Sequence, residues 1–130
     1  MAGEAVIWPV RAEDLNSKIS ERFDVITCLW NVLGHVPGSA SRQSVLRNVA
    51  QSLKPGGPVF IVGNMLDDSR LSPPVLAGQN LVFINIYDDG LIYTEGEYRA
   101  LLADADFVDV VVQQGGMPGG QTLISARKPE

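Results

Sequence analysis

The apolar positions along this chain change their period from one stretch to the next, and the changes mark the elements. Val45, Leu46, Val49 and Leu53 fall on one helical stripe, with Arg42, Arg47 and Gln51 mostly on other faces. On either side, "FDVITCLW" (Phe23 to Trp30) and "PVFIVGN" (Pro58 to Asn64) are apolar and β-branched with almost no alternation. That pattern belongs to strands covered on both faces, as in the centre of a parallel sheet. Pro37 and Gly38 stop the first strand, and Ser39 or Ser41 suits the cap of the helix that follows. Pro55 cannot continue that helix, and Gly56 or Gly57 can take the left-handed conformation that closes it. Strand, helix and strand with joints this tight predict a βαβ unit.

The flanks are read in the same way. "AVIWPV" (Ala5 to Val10) is a short apolar run broken by Pro9, and Ala12, Leu15, Ile19 and Phe23 then sit near helical spacing. "NVLGHVPG" and "MLDDSRLSPP" read as loops. The run "NLVFINIYDDG" has strand propensity, but a continuous apolar run does not separate strand from helix. Thr94 and Glu97 fit a capping box, with Tyr98, Leu101, Leu102 and Ala105 following at helical spacing. "FVDVVVQQ" and "QTLISARK" predict a closing antiparallel hairpin around "GGMPGG". The expected class is α/β in a single domain spanning residues 1–130.

Composition narrows the functions. With 130 residues and 45% hydrophobic content, the chain can build one real core. A net charge of −5 argues against nucleic acid and anionic membrane as partners. Cys28 is the only cysteine, which suits a reducing compartment, and no apolar run approaches the roughly 20 residues of a spanning helix. The expectation is a soluble, cytoplasmic domain. One His and one Cys cannot assemble a structural zinc site, and the pairs Asp67-Asp68 and Asp88-Asp89 read as turn chemistry rather than cation ligands. No metal is expected.

In their order, "FDVITCLWNVLGHVP", "VLRNVAQSLKPGGPVFIVGN", "YTEGEYRALLADADF" and "TLISARK" resemble the C-terminal part of class I S-adenosylmethionine-dependent methyltransferases. "NLVFINIYDDGLIYTEGEYRALL" is similar to the substrate wall of their small-molecule O-methyltransferases. The resemblance runs over about residues 5 to 128 and implies a partial Rossmann-like sheet of parallel strands with a C-terminal antiparallel hairpin. It also implies S-adenosyl-L-methionine as cofactor and methyl transfer to an oxygen of a small-molecule acceptor. The family's acidic residue and G-x-G-x-G loop have no counterpart here, and the chain starts about where the family's third strand starts. "GGMPGG" lies in the hairpin, with no helix after it to offer an N-terminus. The partner expected is therefore a second copy, as a homodimer, or a missing N-terminal portion. A non-catalytic binding or oligomerisation module is the alternative reading, and nicotinamide binding lacks its G-x-G-x-x-G.

What the resemblance implies for single residues follows. Ala12 and Glu13 of "VRAEDL" would meet the adenine, although Arg11 stands where the family has an acceptor Asp. Cys28 and Leu29 would line the methionine part of the cofactor, with Trp30 and Asn31 near the methyl group; Cys28 and Trp30 are equally at home as packing residues. His35 stands on the loop where a base would deprotonate a hydroxyl. Asn64, Phe83, Asn85, Tyr87 and Tyr93 would face the acceptor, or else belong to the core.

Overall fold

A computed structural model describes residues 3–29, 32–86 and 92–130. The sheet forms from β1 (Ile26–Cys28), β2 (Pro58–Gly63), β3 (Val108–Gln113) and β4 (Thr122–Arg127), in the spatial order β1-β2-β4-β3. β1 and β2 are parallel, and β4 runs antiparallel to both β2 and β3. The helices are α1 (Val32–His35), α2 (Ser39–Ser52), α3 (Pro74–Ile86) and α4 (Glu95–Asp104). Between β1 and β2 the chain crosses over through α2, so the βαβ unit and the closing hairpin are both present.

The tight joint after α2 has two separate causes. Gly56 takes φ +74, a conformation that costs a side chain but not glycine. Gly57 is excluded from having a side chain by space instead. A Cβ there would stand 2.9 Å from the Lys54 carbonyl oxygen and 3.1 Å from that of Asp24. The joint thus holds the end of α2, the approach to β1 and the start of β2 against one another, and the exposed Lys54–Asp24 ion pair at 2.7 Å spans it.

One face of the sheet carries the core. Cys28, Ile61, Ile124 and Val112 stand in register across the strands. Val45, Leu46 and Val49 of α2 join Tyr98, Leu101 and Leu102 of α4 in that core. The opposite face carries the row Thr27, Phe60, Ser125 and Val111, none of them buried.

Several expectations are corrected. The first strand is three residues long and lies at the sheet's edge, with its faces alternating rather than both covered. Phe23 stays outside the sheet, in an isolated bridge to Leu53 at the end of α2, and Val25 and Leu29 are exposed because nothing described lies beyond that edge. "AVIWPV" forms no strand, and Ile7 is 89% exposed. The helix expected after Arg11 is a 3₁₀ helix limited to Ala12–Ser17. "NVLGHVPG" was expected as a loop, yet Val32–His35 makes a helical turn that buries Leu33. Neither Ser39 nor Ser41 caps α2: Gly38 is the N-cap, with no side-chain bond. The ambiguous apolar run resolves into α3, opened by Pro74 at a position where its missing N–H costs nothing. Among the described residues, no helix is long and apolar enough to cross a membrane.

α4 is punctuated at both ends as its sequence demands. The Thr94 hydroxyl accepts from Glu97 N–H at 3.2 Å, and the Glu97 carboxylate accepts from Thr94 N–H at 2.9 Å. At the other end, Phe107 N–H donates to Leu102 (3.0 Å) and Asp106 N–H donates to Ala103 (2.9 Å). These are the paired bonds of a Schellman closure, with buried Phe107 packed at its end. The left-handed position, however, is held by Asp106 at φ 64 rather than by glycine.

Two substitutions test these ends. Asp106→Gly removes a Cβ from a left-handed residue and is expected to raise stability by roughly 0.5–1 kcal/mol. Thr94→Ala is expected to cost about 1 kcal/mol by leaving one helix donor without its cap. Urea denaturation of both variants checks them; a lower midpoint for Asp106→Gly contradicts the strain assigned to that residue.

Candidate functional site

In sheets of this type ligands gather beyond the carboxyl ends of the parallel strands. At that end of β1 the chain turns into α1, whose Leu33 and Gly34 are buried while His35 faces outward. Opposite α1 lies the 3₁₀ helix, which buries none of its own residues. Ala12 packs partly against the core, and polar bonds hold the helix to α2. The Asn48 side chain donates to the carbonyls of Ala12 (3.1 Å) and Glu13 (2.7 Å). Asn16 donates to Asn48 at 3.1 Å and accepts from the Ser52 hydroxyl at 3.0 Å.

Between the two runs lies an open groove of about 310 Å³, lined by Arg11, Ala12, Glu13, Val32, His35, Val36 and Pro37. Two cofactor candidates and the candidate base therefore share one groove. Arg11 leans back on the Glu13 carboxylate at 3.3 Å, an exposed contact that places an acceptor beside the position where Arg11 offers none. Phe83 of α3 meets the His35 ring with centroids 5.5 Å apart and planes tilted by 39°. The site thus has an aromatic neighbour supplied from a distant stretch of chain.

Cys28 and Leu29 lie at the end of β1. Leu29 is exposed and Cys28 is half-buried against the core. Burial pushes the Cys28 thiol up to about 11, opposed only weakly by the Leu33 backbone N–H facing the sulfur. It is a neutral thiol at ordinary pH. Trp30, Asn31 and Tyr87 lie outside the described residues.

The other candidates make their contacts elsewhere. Asn64, just past β2, donates to Gln79 of α3 at 3.3 Å. The exposed Asn85 donates to Leu81 within its own helix at 2.7 Å. Tyr93 is a core residue in this structure, 6% exposed and edge-on to Tyr98 at 5.4 Å. Burial raises its pKa, and the Arg42 guanidinium 4.8 Å over its ring partly offsets that. The Tyr93 hydroxyl is buried without a hydrogen-bond partner among the described residues. Among the same residues, no group of His, Cys, Asp or Glu gathers as metal ligands would.

Arg42 was expected on an outer face of α2 and is instead 3% exposed. Its Nε donates to the Leu33 carbonyl at 3.2 Å, tying α2 to the turn that presents His35. The spacing held the signal: positions 42, 45, 46 and 49 form one helical stripe.

No family model matches the chain. It is 33% identical over 101 residues, 75% of its own length, to the tetracenomycin polyketide synthesis 8-O-methyl transferase TcmO of Streptomyces glaucescens. It is 47% identical over 51 residues to the ubiquinone biosynthesis O-methyltransferase of Pseudomonas syringae pv. tomato, covering 39% of this chain. The structure of human N-acetylserotonin methyltransferase in complex with S-adenosylmethionine superposes with a TM-score of 0.72 at 25% identity, covering 82% of this chain. The chain spans 29%, 20% and 30% of these three proteins respectively, less than a third of each.

The thiol gives a prediction whose sign can be worked out. Below about pH 8 both folded and unfolded chains hold a neutral thiol, and the buried site contributes fully. Above that the unfolded thiol ionises first, so stability falls as pH rises and levels off beyond about 11. Alkylation of native Cys28 by iodoacetamide at pH 8 is expected to be at least tenfold slower than in the urea-unfolded chain. Equal rates would remove the burial argument.

Proposed function

The chain is related in sequence and fold to S-adenosylmethionine-dependent O-methyltransferases, and on that footing we propose that it forms the acceptor side of such an enzyme. The reaction is methyl transfer to a hydroxyl oxygen of a small molecule. The observation that carries the reading is the single groove shared by Ala12, Glu13 and His35, beside the carboxyl end of β1. The cofactor supplies, when bound, a methyl group activated on a sulfonium. Ala12, Glu13, Cys28 and Leu29 would hold it, with Trp30 beside them.

The residues present fit one wall of that cofactor and not its whole envelope. The groove is open to solvent, and among the described residues no glycine-rich turn or ribose-binding acid stands opposite. Glu13 accepts hydrogen bonds and can take an amino group that Arg11, a pure donor, cannot. His35 takes the proton of the acceptor hydroxyl as its oxygen becomes nucleophilic, and Phe83 limits where a flat acceptor lies against the imidazole. Asn64, Asn85, Tyr87 and Tyr93 complete the acceptor side in this reading, with Asn31 near the transferring group; Tyr93 does so only if its ring leaves the core. Catalysis by alignment makes an open wall costly, because donor and acceptor must be held about 3 Å apart. The open edge of β1 must accordingly be covered, by a second copy or by the portion that the relatives carry and this chain does not match. A cytoplasmic setting fits the neutral Cys28 thiol.

Titration of the chain with S-adenosylhomocysteine, followed by NMR, tests the reading. The expected outcome is weak binding, with a dissociation constant above about 100 µM, and shifts centred on Ala12, Glu13, Cys28 and Leu29. A flat phenol is expected to shift His35 and Phe83. A low-micromolar constant would contradict the open wall, and the absence of any shift at the groove would overturn the function.

A further inference from the structure

The His35 side chain is exposed, and its backbone belongs to a turn of only four residues. Arg42 fixes that turn through the Leu33 carbonyl, and the imidazole itself meets Phe83 of α3. Where Phe83 stands therefore depends on what holds α3. Apolar packing holds it weakly. Val75, Leu81, Val82, Ile84 and Ile86 are each at least 47% exposed, and among the described residues of α3 only Asn80 is buried. The bond from Asn64 to Gln79 is exposed, so water competes for it. The Asn80 amide oxygen, by contrast, accepts from the Ile92 N–H at 2.8 Å in a buried setting. Ile92 is 0% exposed, and its N–H would have no water to turn to if that oxygen were removed. The segment around Ile92 is itself fixed. Leu66 N–H donates to the Tyr93 carbonyl at 3.0 Å, and Glu95 N–H donates to the Leu66 carbonyl at 3.2 Å.

We propose that Asn80 is a positioning residue for His35. It pins α3 to the buried segment at Ile92, and Phe83, one helical turn further along the same face, is thereby held against the imidazole. Asn80 is buried and acts through Phe83 rather than on the acceptor. Arg42 is its counterpart. Arg42 fixes the backbone that carries His35, whereas Asn80 fixes the ring that His35 meets. Both anchors end on the same stretch of core, because Tyr93, next to Ile92, takes the Arg42 guanidinium 4.8 Å over its ring. The consequence for chemistry rests on the methyltransferase reading, in which His35 takes the proton of the acceptor hydroxyl. A general base works within about 2.6–3.2 Å of the oxygen that carries the proton, and an imidazole left to turn freely spends most of its time elsewhere.

The test compares Asn80→Leu, which removes the accepting oxygen at similar size, with Asn80→Asp, which keeps an oxygen there. NMR reads the nuclear Overhauser contact between the His35 and Phe83 rings in each chain. It also reads the shifts that 1-naphthol causes at His35 and those that S-adenosylhomocysteine causes at Ala12 and Glu13. Asn80→Leu is expected to lose the ring contact and to bind 1-naphthol about tenfold more weakly, while Leu102 and Ile124 keep their native signals. The shifts at Ala12 and Glu13 are expected to stay as they are, and Asn80→Asp is expected to retain the ring contact. A folded Asn80→Leu chain that keeps the contact, or that loses both ligands equally, overturns the proposal. Should Asn80→Leu not fold, urea titration of the unsubstituted chain decides: protection of the Ile92 amide and the ring contact are expected to vanish together, and a contact that outlives the protection overturns the proposal. An unsubstituted chain in which neither ligand shifts the groove removes the methyltransferase reading, while the ring contact still decides the role of Asn80.

Discussion

Everything in this fold is indexed to the place where Gly57 passes between two carbonyl oxygens. With the Lys54 and Asp24 oxygens 2.9 and 3.1 Å from where a Cβ would be, the end of α2 and the approach to β1 are pressed against the start of β2. That contact sets β1 parallel to β2 in a fixed register, Ile26 opposite Val59. The register then decides that Cys28 and Ile61 face the core while Thr27 and Phe60 face away. From the same joint, Gly56 N–H donates to Lys128 and Lys128 N–H donates to Gly57, which brings β4 in beside β2. A larger residue at position 57 would press on the backbone of Lys54 and Asp24 and on the Leu53 side chain at once.

Sequence reasoning succeeded where the signal was local. The capping box of Thr94 and Glu97, the "KPGG" closure and the hairpin strands all follow from residues a few positions apart, and each formed. It failed where the outcome depends on what lies beside an element. The run Phe23 to Trp30 has the composition of a central strand, but composition describes the environment a strand is suited to, not the neighbours present. With one neighbour described, three residues pair. α3 shows the same dependence from the other direction: its apolar run suits two structures, and the Asn80 side chain, accepting from Ile92 N–H at 2.8 Å, ties the helix to a segment twelve residues on.

The candidate site was legible in part for the same reason. His35 lies more than twenty positions from Ala12 and Glu13 in sequence, and their meeting follows from how the 3₁₀ helix docks on α2. That docking relies on Asn16, Asn48 and Ser52, residues with no distinctive pattern. Arg42 was misplaced because a charge was assumed to seek solvent. A guanidinium can be buried when a carbonyl and an aromatic face receive it, here those of Leu33 and Tyr93.

The two walls of the groove differ in stiffness. α1 is anchored by Leu33, which is 1% exposed in the main core, so moving it disturbs packing. The 3₁₀ helix opposite fully buries none of its residues; Ala12 packs partly against the core, and the rest of its hold on α2 comes from part-buried amide and hydroxyl bonds. Moving it disturbs less apolar packing than moving α1 does. Any change in the groove's width is therefore easier to take up on the 3₁₀ side, where it leaves the packing around Leu33 in place.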